Sequence, residues 1–226
     1  MSEKSRHYRT YTYCLDNPTR FIDSDGMQVT DNFVINENGQ YVGTEENDDP
    51  DKLVIENSVD HSRTTYDFND PEVDVKAINN AKEKFGEAFK HIKFVHFVND
   101  ELIDEFMKKN DVHYRNWFNR RWFALNESYH GKMDHTYSSL LWKFDIGSMF
   151  LESELLEDKG PLIILPGAMV YNLFDAGNWL WGDGMNRLGF DYFDTRDASL
   201  FNDPEDTKAD QNAIMRGYFY EKSKNR

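Results

Sequence analysis

The sequence predicts an α+β fold, mainly helical, with a small β-element placed before the helices. Three observations carry this. Two β-prone runs, "NFVIN" and "QYVGT", flank Asn38-Gly39, the strongest short-range hairpin signal. A third β-prone run, "KLVIE" (52–56), follows the acidic loop "EENDDPD" (45–51). From residue 70 the apolar residues change to helical spacing, with Ile78, Ala81, Phe85, Ala88, Phe89 and Ile92 recurring every three or four positions.

Residues 1–30 lack helical periodicity and carry turn signals at Asn17-Pro18 and Asp25-Gly26. Residues 31–57 read as a β-meander. The stretch "SVDHSRTTYDFND" between 57 and 70 is the best domain boundary, so the hairpin is expected outside the main core. Asp70 before Pro71 predicts an N-cap with proline at the first helical position. "KFVHFV" (93–98) fits a strand. Asn99 caps a second helix with Leu102, Ile103 and Phe106 on its apolar face, and Lys108 and Lys109 near its negative end. A third helix is expected over 113–126 and a fourth from Ser148 to Lys159, stopped by Gly160. Thr207-Lys208-Ala209-Asp210 resembles a capping box opening a last helix, with Ile214, Met215, Tyr218 and Phe219 inward. Phe85, Phe89, Phe106, Trp117, Trp122 and Ile164 are the expected core of a domain over 70–226.

Composition narrows the function. The 226 residues carry a formal net charge of −15, which disfavours nucleic acid because a phosphate backbone is repelled. The longest apolar run, "PLIILPGAMVYNLF" (161–174), falls short of a spanning helix and is broken by Pro166 and Gly167. Residues 1–10 hold no apolar secretory signal, and the single Cys14 excludes an internal disulfide and a cysteine-based zinc site. No His-Glu-x-x-His pair occurs. "DSDG" and "NDDPD" lack the spacing of a calcium loop, so no metal site is assigned and the cofactor is unknown.

"YTYCLDNPTRFIDSDGM" (11–27) resembles the closing segment of the Rhs (YD-repeat) core through Tyr11, Tyr13, Asn17, Pro18, Asp23 and Gly26, with Ser24 in place of a proline. "FDAGNWLWGDGMNRLGFDYFDTRD" (174–197) is similar to the bacterial polymorphic toxin type 44 domain through Gly177, Asn178, Trp181, Gly182, Gly189 and Phe190. "GKMDHT" (131–136) resembles that family's upstream element through Gly131 and Asp134. Residues 206–223 resemble its closing helix through Asp210, Ile214, Gly217 and Tyr220. Thr136 and Leu180 depart from the pattern. These resemblances imply a shell remnant (1–30), a β-meander connector (31–57) and a toxin domain (70–226). They also imply delivery into a target bacterium without a signal of its own, and a cognate immunity protein as partner. The charge of this chain suggests a basic face on that partner.

The chemistry is read from the residues. Asp134-His135 pairs a carboxylate with an imidazole, a combination suited to acid–base work near neutral pH; a loop aspartate with an exposed histidine is the plainer alternative. Asp183, Asn186 and Arg187 share one face of any helix they lie on and could hold a sugar or a phosphate, or form a surface ion pair. Asp191 and Asp194 follow closely. The glycines among these residues suggest a packed turn or a site. The expected site gathers Asp134, Asn178 and Asp210 in one cleft, with His135 as proton carrier and Asp183 as second carboxylate. Trp181, Asn186 and Arg187 would bind substrate. "HYRNWFNRRWFAL" (113–125) interleaves arginines with aromatics as single-strand nucleic-acid grips do, but a core helix is the preferred reading. The expected function is an antibacterial hydrolase acting on cell-wall glycan or its precursor, supported by aromatic platforms and spare carboxylates. The alternatives are a toxin nuclease and a non-catalytic binding or assembly domain.

Overall fold

The computed structural model describes residues 30–47, 49–150, 157, 159–167, 169–203 and 206–224. The Rhs-like leader therefore lies outside the described residues, as does all but the ends of the helix expected over 148–159. The architecture is α+β. Seven strands form one sheet in the order β2-β1-β3-β4-β7-β6-β5. They are β1 (Thr30–Asn36), β2 (Tyr41–Asn47), β3 (Lys52–Glu56), β4 (Arg63–Phe68), β5 (Val95–Phe97), β6 (Leu162–Leu165) and β7 (Met169–Asn172). The helices among the described residues are α1 (Pro71–Phe85), α2 (Asp100–Lys109), α3 (Trp117–Glu127), the short α4 (Leu141–Lys143), α5 (Leu173–Leu188), α6 (Tyr192–Asn202) and α7 (Lys208–Lys224). None of them is long and apolar enough to cross a membrane.

The helix starts follow local chemistry. Asp70 accepts from Val73 N, Asn99 from Leu102 N and Asn116 from Asn119 N, each side chain satisfying a backbone donor of the first turn. Thr207 and Asp210 form a reciprocal capping box: Asp210 N donates to Thr207 Oγ1 (3.2 Å) and Thr207 N to Asp210 Oδ2 (2.8 Å).

The hairpin is not outside the core, and this corrects the expected placement. β4 occupies the stretch 57–70 and hydrogen-bonds in parallel to β7, so the sheet runs through the expected boundary. The sheet also curls until the β1–β2 turn meets the start of β5. There Gly39 O accepts from Phe94 N (2.9 Å) and Val95 N (3.0 Å). Only glycine suits this turn, because its φ is +84° and an ideal Cβ would lie 1.9 Å from Val95 O. Phe33, Ile35 and Leu53 are fully buried in the same cluster as Ile78, Phe106 and Ile163. A two-stranded hairpin is marginal alone in water, and folding it against α1 and the curled sheet buries its apolar face.

Four side chains leave the positions expected for them. Trp117 and Trp122 are 62% and 61% exposed, because α3 turns Phe123 and Ala124 inward instead. Met215 and Phe219 lie near the surface of α7, whereas Ile214 and Tyr218 are buried.

Candidate active site

Three helices begin at one place, for a topological reason. β4 and β7 are parallel neighbours, paired at Asp67–Met169 and Phe68–Val170. Each runs directly into a helix, β4 into α1 and β7 into α5, so both helix N-termini open at the same sheet edge. α7 packs across α5 and brings a third N-terminus beside them. Gly182 lets the backbone of Ile214 approach, and Gly217 lets that of Trp179 approach. The positive ends of three helices converge, a pull that favours carboxylates and that burial opposes.

A layered polar cluster fills the convergence. In the buried layer, Asp74 Oδ1 accepts from both Asn172 N and Nδ2 at 3.1 Å, and its Oδ2 accepts from Asp70 N. Asn172 Oδ1 in turn caps α5 at Phe174 N and Asp175 N. Asp175 is buried and hydrogen-bonded to Asp210. Asn69 donates to Asp175 Oδ2 (2.7 Å) and to Ala209 O (3.1 Å), while Arg216 donates to Asn69 Oδ1 (2.6 Å). Above this lies a half-buried layer of Asn69, Asn178, Asp206, Asp210 and Arg216. Asn178 Nδ2 donates to Asp210 Oδ1 at 2.8 Å, and Thr207 donates twice to Oδ2. Asp210 thus accepts from donors at both of its oxygens.

The carboxyls fall into distinct electrostatic states. Burial raises Asp74 to about 7. Burial, the hydrogen bond to Asp210 and the charge of Asp210 together push Asp175 well above the usual carboxylate range, so one proton is shared between the two. Asp206 is raised to about 6, first by burial and then by the charge of Asp210; Gln211 Nε2 donates to it at 2.7 Å. The result is a carboxyl that keeps part of its proton near neutral pH, Asp206, close to a second, donor-lined carboxyl, Asp210, both half-buried. A raised carboxyl beside a second carboxyl held by hydrogen-bond donors is an arrangement that acid–base chemistry can use.

Of the expected site, Asn178 and Asp210 come together and the others do not join them. Asp134 makes its hydrogen bonds within its own loop, accepting from His130 N at 3.1 Å, while its carbonyl accepts from Ser138 N. The neighbour that meets α5 is Thr136, against Gly177. His135 is buried beside Gly184, toward the other end of α5. Its Nδ1 faces Ser139 Oγ (3.1 Å) and Asn110 Nδ2 (3.5 Å), and burial holds it down at about 3, so it stays neutral at physiological pH. A proton carrier needs solvent or substrate at the ring, and this ring has neither.

Asp183, fully buried, accepts from Arg187 Nε at 2.8 Å, and Arg187 Nη1 reaches Asp104 (2.8 Å), tying α5 to α2. This is an ion-pair tie, and Arg187 is committed to it. Asn186 contributes its carbonyl to the C-terminal cap, accepting from Gly189 N. Trp181 is buried, with Nε1 donating to Ser128 Oγ (3.0 Å). Sequence reasoning missed Asn69, Asp74, Asp175, Asp206 and Arg216. The i,i+3 spacing of Asp175 and Asn178 on α5 was the available signal for one of them. Among the described residues, no group of three or more His, Cys, Asp or Glu has the geometry to hold a metal ion.

The buried titratable groups make stability depend on pH in two opposing ways. Asp74 is raised from 3.8 to about 7, so its contribution is full below 3.8 and is lost as pH rises toward 7. His96 is lowered from 6.5 to about 4 and His135 to about 3, so theirs is full above 6.5 and lost as pH falls toward those values. Asp175 is raised as well, to about 8. Above about pH 6.5 the histidines add no slope, so Asp74 and Asp175 set it, and the thermal midpoint should fall along an alkaline limb as pH rises toward 8. Asp74→Asn should make that limb less steep and leave the histidine contributions in place. An unchanged alkaline limb in that variant would contradict the assignment.

Comparison of the chain with protein-family models, with curated proteins and with solved structures gives no match.

Proposed function

We propose that the chain is a hydrolase whose acid–base pair is Asp206 and Asp210, acting on a cell-wall glycan or its precursor as an antibacterial effector. The observation that carries the chemistry is the state of these two half-buried carboxyls. Asp206 is raised to about 6 and so is partly protonated near neutral pH, while Asp210 is surrounded by the donors of Asn178 and Thr207. Hydrolysis of a glycosidic bond needs a carboxylic acid to protonate the leaving oxygen and a carboxylate to activate water or attack the sugar carbon. In this reading Asp206 is the acid and Asp210 the carboxylate. Asp175 is a positioning residue, sharing a proton with Asp210 from behind. Asn178, on the accessible side, is placed to bind a sugar hydroxyl as well as Asp210.

The effector role rests on the resemblance of the sequence to the Rhs closing segment and to the type 44 toxin pieces, and an immunity protein as partner follows from the same source. The nuclease alternative has less support, because Arg115 and Arg121 are engaged by Asp111 and Asp194. The test is incubation of the full chain with isolated bacterial wall glycan and, separately, with single-stranded RNA and DNA. Release of reducing sugar ends is expected. Cleavage of nucleic acid with intact glycan would overturn the reading.

A further inference from the structure

α3 is apolar on two faces, and its own fold uses only one. Phe123 and Ala124 enter the core. On the other side Trp117, Phe118, Trp122 and Leu125 stand 61–70% exposed, in rows three to five residues apart that make one continuous ridge. Beside the ridge runs a groove of about 280 Å³ between α3 and α6, lined by Leu125, Trp181, Phe190, Ala198 and Phe201, the last 78% exposed. Arg121, Asp194 and Asp197 stand at its rim.

We propose that this face pairs two copies of the chain about a twofold axis, the α3 ridge of each lying in the α3–α6 groove of the other. Two features of the surface select a second copy as occupant. First, ridge and groove lie side by side on one molecule, the self-complementary arrangement that a twofold interface requires. The rim carries both signs of charge, Arg121 lying 3.6 Å from Asp194 of the same copy, so a second copy brings a cation and carboxylates to a rim of the same mixed pattern. A partner of one sign would leave part of the rim repelled. Second, the area suffices. The exposed parts of Trp117, Phe118, Trp122, Leu125 and Phe201 amount to roughly 100–150 Å² each, on the order of 600 Å² per copy. Two copies would bury about 1,200 Å², the lower bound of a stable specific interface.

The net charge of −15 on each copy opposes pairing, so added salt should strengthen it by screening the repulsion. The experiment is sedimentation equilibrium of the full chain over a range of concentration and salt, alongside Trp122→Asp, Leu125→Glu and the double variant. Wild-type protein should sediment as a monomer–dimer equilibrium that shifts toward dimer with salt. The double variant should stay monomeric with an unchanged far-ultraviolet circular dichroism spectrum, since both side chains are exposed. Wild-type protein that remains monomeric at every attainable concentration would overturn the proposal. So would a dimer that survives the double substitution. A monomer that binds lipid vesicles or soluble glycan fragments through these residues would also overturn it, assigning the face to another occupant.

Discussion

Gly217→Ala is expected to destabilise the protein by about 2 kcal/mol or more, although alanine is the better helix former by about 1 kcal/mol. The position lies inside α7, where propensity alone favours the substitution. The opposing effect is steric. An ideal Cβ on Gly217 would sit 1.8 Å from Trp179 O, and one on Gly182 would sit 2.2 Å from Ile214 O. Both obstacles are backbone atoms, so no rotamer change relieves them, and α5 and α7 must move apart. That separation would loosen the packing of Trp179, Leu180 and Ile214, all buried at this contact, and would pull Asp210 away from Asn178. Denaturant unfolding measures the effect. Gly182→Ala should cost a similar amount, and the double variant less than the sum, because one separation accommodates both methyl groups. Gly43→Ala, with open space around its Cβ, is the control and should be nearly neutral. A Gly217→Ala protein as stable as wild type would show that the crossing is not tight.

The same glycines mark how far local reasoning reaches. Asp70-Pro71, Asn99 and the Thr207–Asp210 box were legible because a cap is satisfied within three residues of itself. The run 174–197 was not, since its glycines at 177, 182 and 184 are spaced by contacts with Thr136, Ile214 and Met133, residues distant in sequence. They look like a turn or a binding loop but form the interior of α5. α3 failed in the opposite sense: its aromatic stripe is a correct helical pattern, and periodicity does not say which of two apolar faces the rest of the chain covers. Asn178 and Asp210 were within reach because each is a polar residue set among glycines or aromatics, and the two stretches pack together. Asp206 and Asp175 were not. Their character comes from burial and from the charge of Asp210, and neither exists until three helix N-termini converge.

Asp206→Asn and Asp210→Asn should each lower glycan hydrolysis by about 10²–10⁴-fold, the range for loss of a general acid or base. The two losses differ in kind. With Asp206 the working form is the protonated one, so wild-type activity should fall as pH rises through about 6. Asparagine cannot donate a proton to a leaving oxygen, and the residual rate of Asp206→Asn should no longer show that alkaline fall. With Asp210 the working form is ionised, and Asp210→Asn removes it at every pH. This variant also weakens the capping box, at about 1 kcal/mol, so its folded fraction has to be measured beside its rate. Asp206 lies outside that box and binds Gln211, so Asp206→Asn separates chemistry from folding. Asn178→Ala should raise KM more than it lowers kcat, because its amide meets substrate in ground and transition state alike. Asp134→Asn and His135→Gln, at positions away from the cluster, should leave kcat unchanged in the protein that remains folded. An Asp206→Asn enzyme that keeps both its rate and its alkaline limb would remove Asp206 from the mechanism and leave Asp210 without an acid.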